Sequence, residues 1–415
     1  IRSKYLIGAD GGNSLVTENE NLPIEGKMGV GGSMNILFRA DLSKYVAHRP
    51  SVLYWVMQPG ADVGGIGMGL VRMIRPWNEW LIVWGYDVTQ PAPNVDEAMA
   101  TEVARQLVGD PKLEIDLLSA NTWTVNNAYA TELSKGRAFI MGDAAHRHPP
   151  SNGLGSNTSI QDAFNLCWKL ASVLKNQAGS ALLDTYNTER APIAKQVVTR
   201  ANQSISEFGP IFEALGMTGG TDYELIKSNM DARCGTDAQA EVQRDALNKA
   251  IGFKRYEFDA HGIEMNQRYS SSAIVCDGQL EPSFEKDAVL HYQPTTWPGA
   301  RLPHAWVFDA SGGKHSTLDL AGGGTFSLFT GLGGEPWAAA AKELSNEFGI
   351  MINVHIIGPR QEYVDHTGSW ARAREVTDSG CILTRPDQHV CWRSETIADK
   401  PKDEIKRVLN QILAK

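Results

Sequence analysis

The apolar run Ala138 to Met141 stops at Gly142-Asp143, crosses a loop rich in Pro, Gly and Asn, and enters a run with helical periodicity. Few folds accommodate that order. A strand that ends in an acidic residue and leads to a helix start belongs to an α/β sheet, which binds its ligands at strand carboxyl ends. Ile160, Ala163, Phe164, Cys167, Leu170, Ala171 and Leu174 follow the i, i+3, i+4, i+7 spacing and predict an amphipathic helix with these residues as its apolar face. The loop Gly153-Leu154-Gly155-Ser156-Asn157 brings bare backbone N–H groups to that helix N-terminus, a site suited to negative charge.

A second strand with an acidic end opens the chain: Lys4-Tyr5-Leu6-Ile7-Gly8-Ala9-Asp10-Gly11-Gly12-Asn13-Ser14. Between the two lie four β-branched and aromatic runs (34–39, 52–57, 67–73 and 80–86), broken by Gly and Pro clusters, which predict an antiparallel sheet. A short amphipathic helix is predicted over 95–108. Residues 201–285 are mostly helical and polar in pattern, with no chemistry legible in them. The last part runs strand (325–330), helix (337–348), strand (350–357), a hairpin around Arg385-Pro386-Asp387-Gln388, and a closing helix (403–413). That order predicts a thioredoxin-like fold. Its strand-to-helix turn, Gly331 to Trp337, has no Cys, so CxxC redox chemistry is not expected.

The stretch GDAAHRHPPSNGLGSNTSIQDAFNLCWKL and the DGxxS start at Asp10 both resemble motifs of the single-component FAD-dependent aromatic hydroxylases. Further wording (GGSMNILFRADL, FDAHGIEMNQRY, RPDQHVCWR) resembles the phenol 2-monooxygenase group along the whole chain. The resemblance implies the fold class: α/β and α+β, with part of a Rossmann-like FAD-binding domain at 1–27 and 119–200. A substrate-binding sheet domain follows at 28–118, a helical segment at 201–285, and a thioredoxin-like domain without CxxC at 286–415. It implies Asp143 as the ribityl ligand of FAD, with Asp10, Gly11 and Gly142 supporting. Gly153, Leu154, Gly155, Ser156 and Asn157 would lie at the pyrimidine edge of the flavin, stabilising its reduced anion. Pro150 would present its carbonyl to the substrate hydroxyl, and Asn35, Trp55 and Met57 are pocket candidates. Many relatives carry Arg three residues after the DGxxS serine. Thr17 stands there in this chain, which removes the NADPH-related expectation from this motif and leaves the flavin one.

The chemistry implied is an NADPH- and O2-dependent ortho-hydroxylation of a phenol through a flavin C4a-hydroperoxide. The substrate would be a chlorinated phenol such as 2,4-dichlorophenol, and the product a catechol. The phenol must approach its phenolate, and the pocket must exclude water. A GxGxxG turn is also implied, but neither Gly65-Ile66-Gly67-Met68-Gly69 nor Gly331-Leu332-Gly333-Gly334-Glu335-Pro336 has the right form. The chain is therefore expected to begin in mid-fold, with the general base in a preceding part. Two rival readings stand beside this one: a hydroxylase of a larger, polyketide-type aromatic, and a flavin-free module acting only in assembly.

Composition narrows the partners. A net charge of −9 without a basic run argues against nucleic acid and anionic membranes, and no apolar run approaches spanning length. Five scattered cysteines suit a reducing cytoplasm, with Cys381 and Cys391 read as buried thiols of a hairpin rather than a disulfide. Asp143, His146 and His148 could be read as metal ligands, but nothing further clusters with them. No metal is expected, and the two histidines are read as bonding the loop backbone. Glu189-Arg190-Ala191-Pro192 is read as a helix boundary with an ion pair. A homo-oligomer is expected from the resemblance, and no nucleophile motif supports hydrolase chemistry.

Overall fold

The computed structural model describes residues 2–59, 68–218 and 222–415. Of the glycine run considered above, Gly65, Ile66 and Gly67 lie outside these residues, while Met68 and Gly69 open a strand. The mixed α/β architecture anticipated from the sequence is what the chain adopts, with four sheets and two long central helices among the described residues.

The two acidic-ended strands are neighbours. Leu6–Gly8 pairs in parallel with Ala138–Ile140, placing Gly8 opposite Ile140. Asp10 and Asp143 therefore emerge from the same edge of one small sheet, two and three residues past the paired ends. Parallel pairing is what makes the two turns converge.

The strand-rich region is a six-stranded sheet, ordered Leu53–Met57, Met68–Arg75, Glu79–Tyr86, Ile24–Arg39, Asp116–Ala130 and His146–Arg147. Two strands are long, 16 and 15 residues, and the expected boundaries at 27/28 and 118/119 fall inside them. The sixth strand belongs to the loop after Asp143: Tyr129 pairs with His146 and Ala128 with Arg147. The sheet thus holds that loop by backbone hydrogen bonds. One face alternates Met34, Ile36, Phe38 and Trp80, Ile82, Trp84, all buried, and packs on the helix Glu97–Val108 through Ala100, Val103, Ala104 and Leu107.

The central helix spans Leu154–Leu174, and its buried face departs from the expected one. Ile160, Phe164 and Leu174 are exposed (66%, 46% and 45%), as is Cys167. The helix instead buries Leu154, Thr158, Asp162, Asn165, Leu166, Trp168, Lys169 and Leu170. The polar members of that face find buried ionic partners on other segments, which a periodicity reading cannot detect. The helix Asp184–Ser206 runs through Pro192, so Glu189-Arg190-Ala191-Pro192 is helix interior and not a boundary. A proline there forfeits one hydrogen bond, at a cost of roughly 3 kcal/mol in an isolated helix. Burial of Tyr186, Ile193, Ala194, Val197 and Val198 around it offsets that loss.

In the C-terminal part, Phe326–Thr330 pairs in parallel with Ile352–Ile356 and antiparallel with Cys381–Thr384, which pairs with Val390–Ser394. Helices Glu335–Phe348 and Pro401–Ile412 cover this sheet. Strand order and directions agree with the thioredoxin-like expectation. This unit is not separate in its core, for Phe326, Trp337, Leu344 and Leu409 share one apolar cluster with Leu154, Trp168, Ile193 and Val197. A small sheet of Trp306–Asp309, Lys314–Ser316 and Tyr363–Val364 was not foreseen. Cys381 and Cys391 are buried free thiols, and all five cysteines are unbridged.

Candidate flavin site

The site begins at the two converging turns. Gly142 adopts φ +63, and a Cβ there would meet the Ser159 hydroxyl at 3.0 Å, so the turn needs glycine for two reasons. It delivers Asp143 to the surface, while Gly142, Ala144 and Ala145 are buried. Asp10 lies exposed on the neighbouring turn. Ser14 beside it and the Val16 N–H, which donates to Oδ2 at 3.2 Å, hold its carboxyl below the ordinary range. The hydroxyl of Thr17 donates to the Ala144 carbonyl at 3.2 Å and ties the two turns together. Arg147 donates from Nε to the Asp143 carbonyl at 2.9 Å, and its cation lies near both the Asp143 and Asp10 carboxylates.

The loop 148–153 ends at a bare helix start. Asn152 and Gly153 both take left-handed backbone conformations, φ 64 at each, and the central helix begins at Leu154. Gly155, Ser156 and Asn157 are therefore its first turn rather than loop. The helix has no side-chain N-cap. The N–H groups of Leu154, Gly155 and Ser156 precede the first i→i−4 bond of the helix and have no intrahelical acceptors, and Gly153, Ser156 and Asn157 are exposed. A Cβ on Gly153 would meet nothing within 4 Å, and one on Gly155 only the His148 ring at 3.6 Å. The Pro150 carbonyl accepts the Gly153 N–H at 3.1 Å, which leaves its second lone pair for another donor.

These features fit FAD. Two exposed carboxylates at strand ends suit a polyhydroxyl chain, and an uncapped helix start beside open space suits an electron-rich carbonyl edge. Among the described residues no group of three or more His, Cys, Asp or Glu could hold a metal. His148 bonds the Pro149 carbonyl at 2.7 Å, and burial lowers its basicity. His146 differs from the expectation: its Nε2 bonds the Asp162 carboxylate at 2.9 Å, not loop backbone.

Asn35, Trp55 and Met57 share one face of the large sheet, opposite the Glu97–Val108 helix. The cross-strand row runs Trp55–Leu70–Val83–Asn35–Asn121. Trp55 and Asn35 are three strand spacings apart, about 14 Å, so one phenol ring cannot touch both. Asn35 accepts the Trp123 indole N–H at 3.0 Å. The Trp55 and Phe208 rings meet at a tilt with centroids 4.7 Å apart, and Trp55 and Met57 pack against the cluster of Met68, Phe208, Ile211, Leu215 and Ala250. The helical segment is thus docked on the sheet at the Trp55 end. It also reaches the loop: Asn152 donates to the Tyr256 carbonyl at 2.6 Å and accepts the Ser204 hydroxyl at 2.6 Å.

Beneath the site lies a buried ionic network that the sequence reading did not anticipate. Glu189 accepts both terminal nitrogens of Arg385, at 2.5 and 3.0 Å, together with Lys169 at 2.8 Å, Asn165 at 2.7 Å and Ser271 at 2.6 Å. Arg385 also bonds Asp387 at 2.6 and 3.0 Å. Burial pushes the Glu189 carboxyl up, but Arg385 and Lys169 outweigh it and hold the group well below the usual range. Burial pulls the Lys169 ammonium down to about 8 against the pull of Glu189. The one available signal was the pair of short motifs, Glu189-Arg190 and Arg385-Pro386-Asp387, each placing an acid and a base within three residues of one another.

Comparison with known proteins agrees with this geometry. Residues 1–201 match the model of the FAD binding domain family, and residues 295–415 that of the aromatic-ring hydroxylase C-terminal family. The chain is 52% identical over 414 residues to 2,4-dichlorophenol 6-monooxygenase of Delftia acidovorans, covering 100% of this chain and 70% of that protein. It is 47% identical to phenol 2-monooxygenase of Pseudomonas sp. (strain EST1001), covering 99% of this chain and 66% of that one. Among solved structures, the flavin-dependent monooxygenase PieE in complex with FAD and substrate superposes with a TM-score of 0.91 at 40% identity, over 100% of this chain and 70% of the other.

Proposed function

Because this chain belongs to the FAD-dependent aromatic-ring hydroxylases, we propose that it hydroxylates a phenol ortho to its hydroxyl group, with NADPH as reductant and O2 as oxygen source, giving a catechol. A chlorinated phenol such as 2,4-dichlorophenol is the substrate this reading favours. The observation that carries it is the uncapped start of helix Leu154–Leu174 beside the exposed Asp143 and Asp10 carboxylates.

When bound, FAD supplies the electron transfer from NADPH and the activation of O2. The protein's own residues do the rest. Asp143, with Asp10 on the neighbouring turn, would hold the ribityl hydroxyls of bound FAD. The free N–H groups of Gly155 and Ser156, with Asn157 next to them, would lie at the pyrimidine edge of bound FAD and stabilise negative charge there with dipoles already in place. The Pro150 carbonyl accepts the phenol O–H, which raises electron density at the ortho carbon. The half-buried sheet face carrying Asn35, Leu70 and Val83 excludes water from the ring.

The rival reading, a larger polyketide-type aromatic, is put to the test by the same experiment. A homo-oligomer joined through the C-terminal part and a cytoplasmic location complete the proposal. Among the described residues no helix is long and apolar enough to cross a membrane. The test is NADPH oxidation by FAD-loaded protein expressed from its complete gene, with and without 2,4-dichlorophenol, with product analysis. Stimulation with an equal yield of catechol supports the proposal. Stimulation yielding H2O2 makes the phenol an effector, and no stimulation of a flavin-loaded protein favours the larger aromatic.

A further inference from the structure

Asp162 lies on the central helix with both carboxylate oxygens engaged. Oδ2 accepts the Gly142 backbone N–H at 3.1 Å and His146 Nε2 at 2.9 Å, and Oδ1 accepts Arg190 Nε at 2.7 Å. Asp162, His146 and Arg190 are all buried to 1% exposure or less. Gly142 immediately precedes Asp143, so one carboxylate clamps both ends of the turn that presents the ribityl ligand. Burial opposes the charge on Asp162, and Arg190 and His146 more than compensate, keeping it ionised.

Arg190 is in turn held from the C-terminal part by two routes. Its neighbour on the helix, Glu189, receives the Arg385 fork. Its own NH1 donates to the Tyr269 hydroxyl at 3.0 Å, and the Tyr269 ring stacks on His389 at 4.2 Å. Arg385 and His389 flank Asp387 on one hairpin turn. The charged groups of this network are paired, with His146 Nδ1 buried and unpartnered beside them, and such networks fix geometry more sharply than apolar contacts do.

We propose that Asp162 and Arg190 are positioning residues for the flavin-holding turn, and that the hairpin turn Arg385–His389 is the far anchor that keeps them in place. The thioredoxin-like part then serves flavin binding without touching the flavin. This rests on the reading of the Asp143 turn as the FAD site.

The test uses protein from the complete gene and three variants: Asp162→Asn, Arg385→Lys and, as an exposed control, Lys402→Ala. FAD affinity is read by flavin fluorescence, amide exchange at Gly142–Ala145 is followed without added FAD, and melting is recorded for each. Loss of one hydrogen bond to a charged group corresponds to about 10- to 100-fold weaker FAD binding for Asp162→Asn, together with faster exchange at Gly142. Arg385→Lys keeps the charge but loses the fork, so a smaller shift in the same two readouts is expected, with the control unchanged. If Asp162→Asn melts lower yet binds FAD as tightly, with Gly142 exchange unmoved, Asp162 is merely structural and the proposal fails. If only Asp162→Asn has an effect, the far anchor is overturned. If Asp162→Asn does not fold, Arg190→Lys replaces it with the same criteria. If the unsubstituted protein binds no FAD, the flavin reading fails, and Gly142 exchange still decides whether the clamp exists.

Discussion

The large sheet and the central helix pair solve burial in opposite ways. The sheet buries Met34, Ile36, Phe38, Trp80, Ile82 and Trp84 against a helix, with no charged group in that cluster. The helix pair buries Asp162, Lys169, Glu189 and Arg190, and recruits Arg385 and Asp387 to neutralise them. The sheet core is non-directional and tolerates exchange of shape. The ionic core is directional, and each member is needed because the others are out of water. The tolerant region forms one wall beside the loop. The intolerant region lies directly under the Asp143 turn, where position matters most.

Isosteric substitution breaks this comparison most sharply. Glu189→Gln keeps the shape but leaves Lys169 and Arg385 facing Asp387 alone, and a loss of about 3–5 kcal/mol is expected, measured by denaturant unfolding. An equal loss in the sheet from a shape-conserving swap would erase the contrast.

The pH dependence comes next. Lys169 releases its proton near 8 in the folded chain, whereas an unfolded lysine keeps it to about 10.4. The unfolded state binds more protons in that interval, so this group makes stability rise with pH from about 8 to about 10.4. Lys169→Met removes that rise, as melting curves across the range would record. On the acid side, Glu189, Asp162 and Asp387 have folded values below the ordinary carboxylate range. Their contribution is complete above about 4 and is lost as pH falls through the lower folded values. Glu189→Gln therefore weakens the fall below pH 4.

In the sheet, Ile82→Val is expected to cost only about 0.5–1.5 kcal/mol, seen as a small drop in melting temperature with FAD affinity unchanged. Smallest of all is Lys402→Ala. Its pair with Glu343 at 2.7 Å is solvent-exposed at both ends, and no change in melting temperature is expected because water screens it. A clear drop would show that ion pairs stabilise this protein wherever they lie.

The strands of the sheet were legible because alternation is local, with residues two apart sharing a face. The thioredoxin-like order was legible for the same reason, as each strand and helix carries its own pattern. The two acidic turns were legible as short motifs, and their convergence followed from parallel pairing of Leu6–Gly8 with Ala138–Ile140. The buried face of the central helix was not. Its pattern offers two candidate faces, an apolar stripe through Ile160 and Phe164 and a mixed one through Asp162, Asn165 and Lys169. Only the partners choose between them, and the partner of Glu189 lies 196 residues away. Likewise, Trp55 and Met57 look like pocket residues until the helices after residue 206 are seen packed on them.

By itself, then, the sequence determined four strands of the large sheet, the central helix, the order of the C-terminal strands and helices, and the two turns that carry Asp10 and Asp143, because backbone propensity and periodicity act over a few residues. The tertiary structure alone decided which face of the central helix is buried, that the loop joins the large sheet through His146 and Arg147, and that Asp162 grips the Asp143 turn. Those outcomes depend on neutralising charges in a medium of low dielectric, and the neutralising groups come together only when distant segments have folded onto one another.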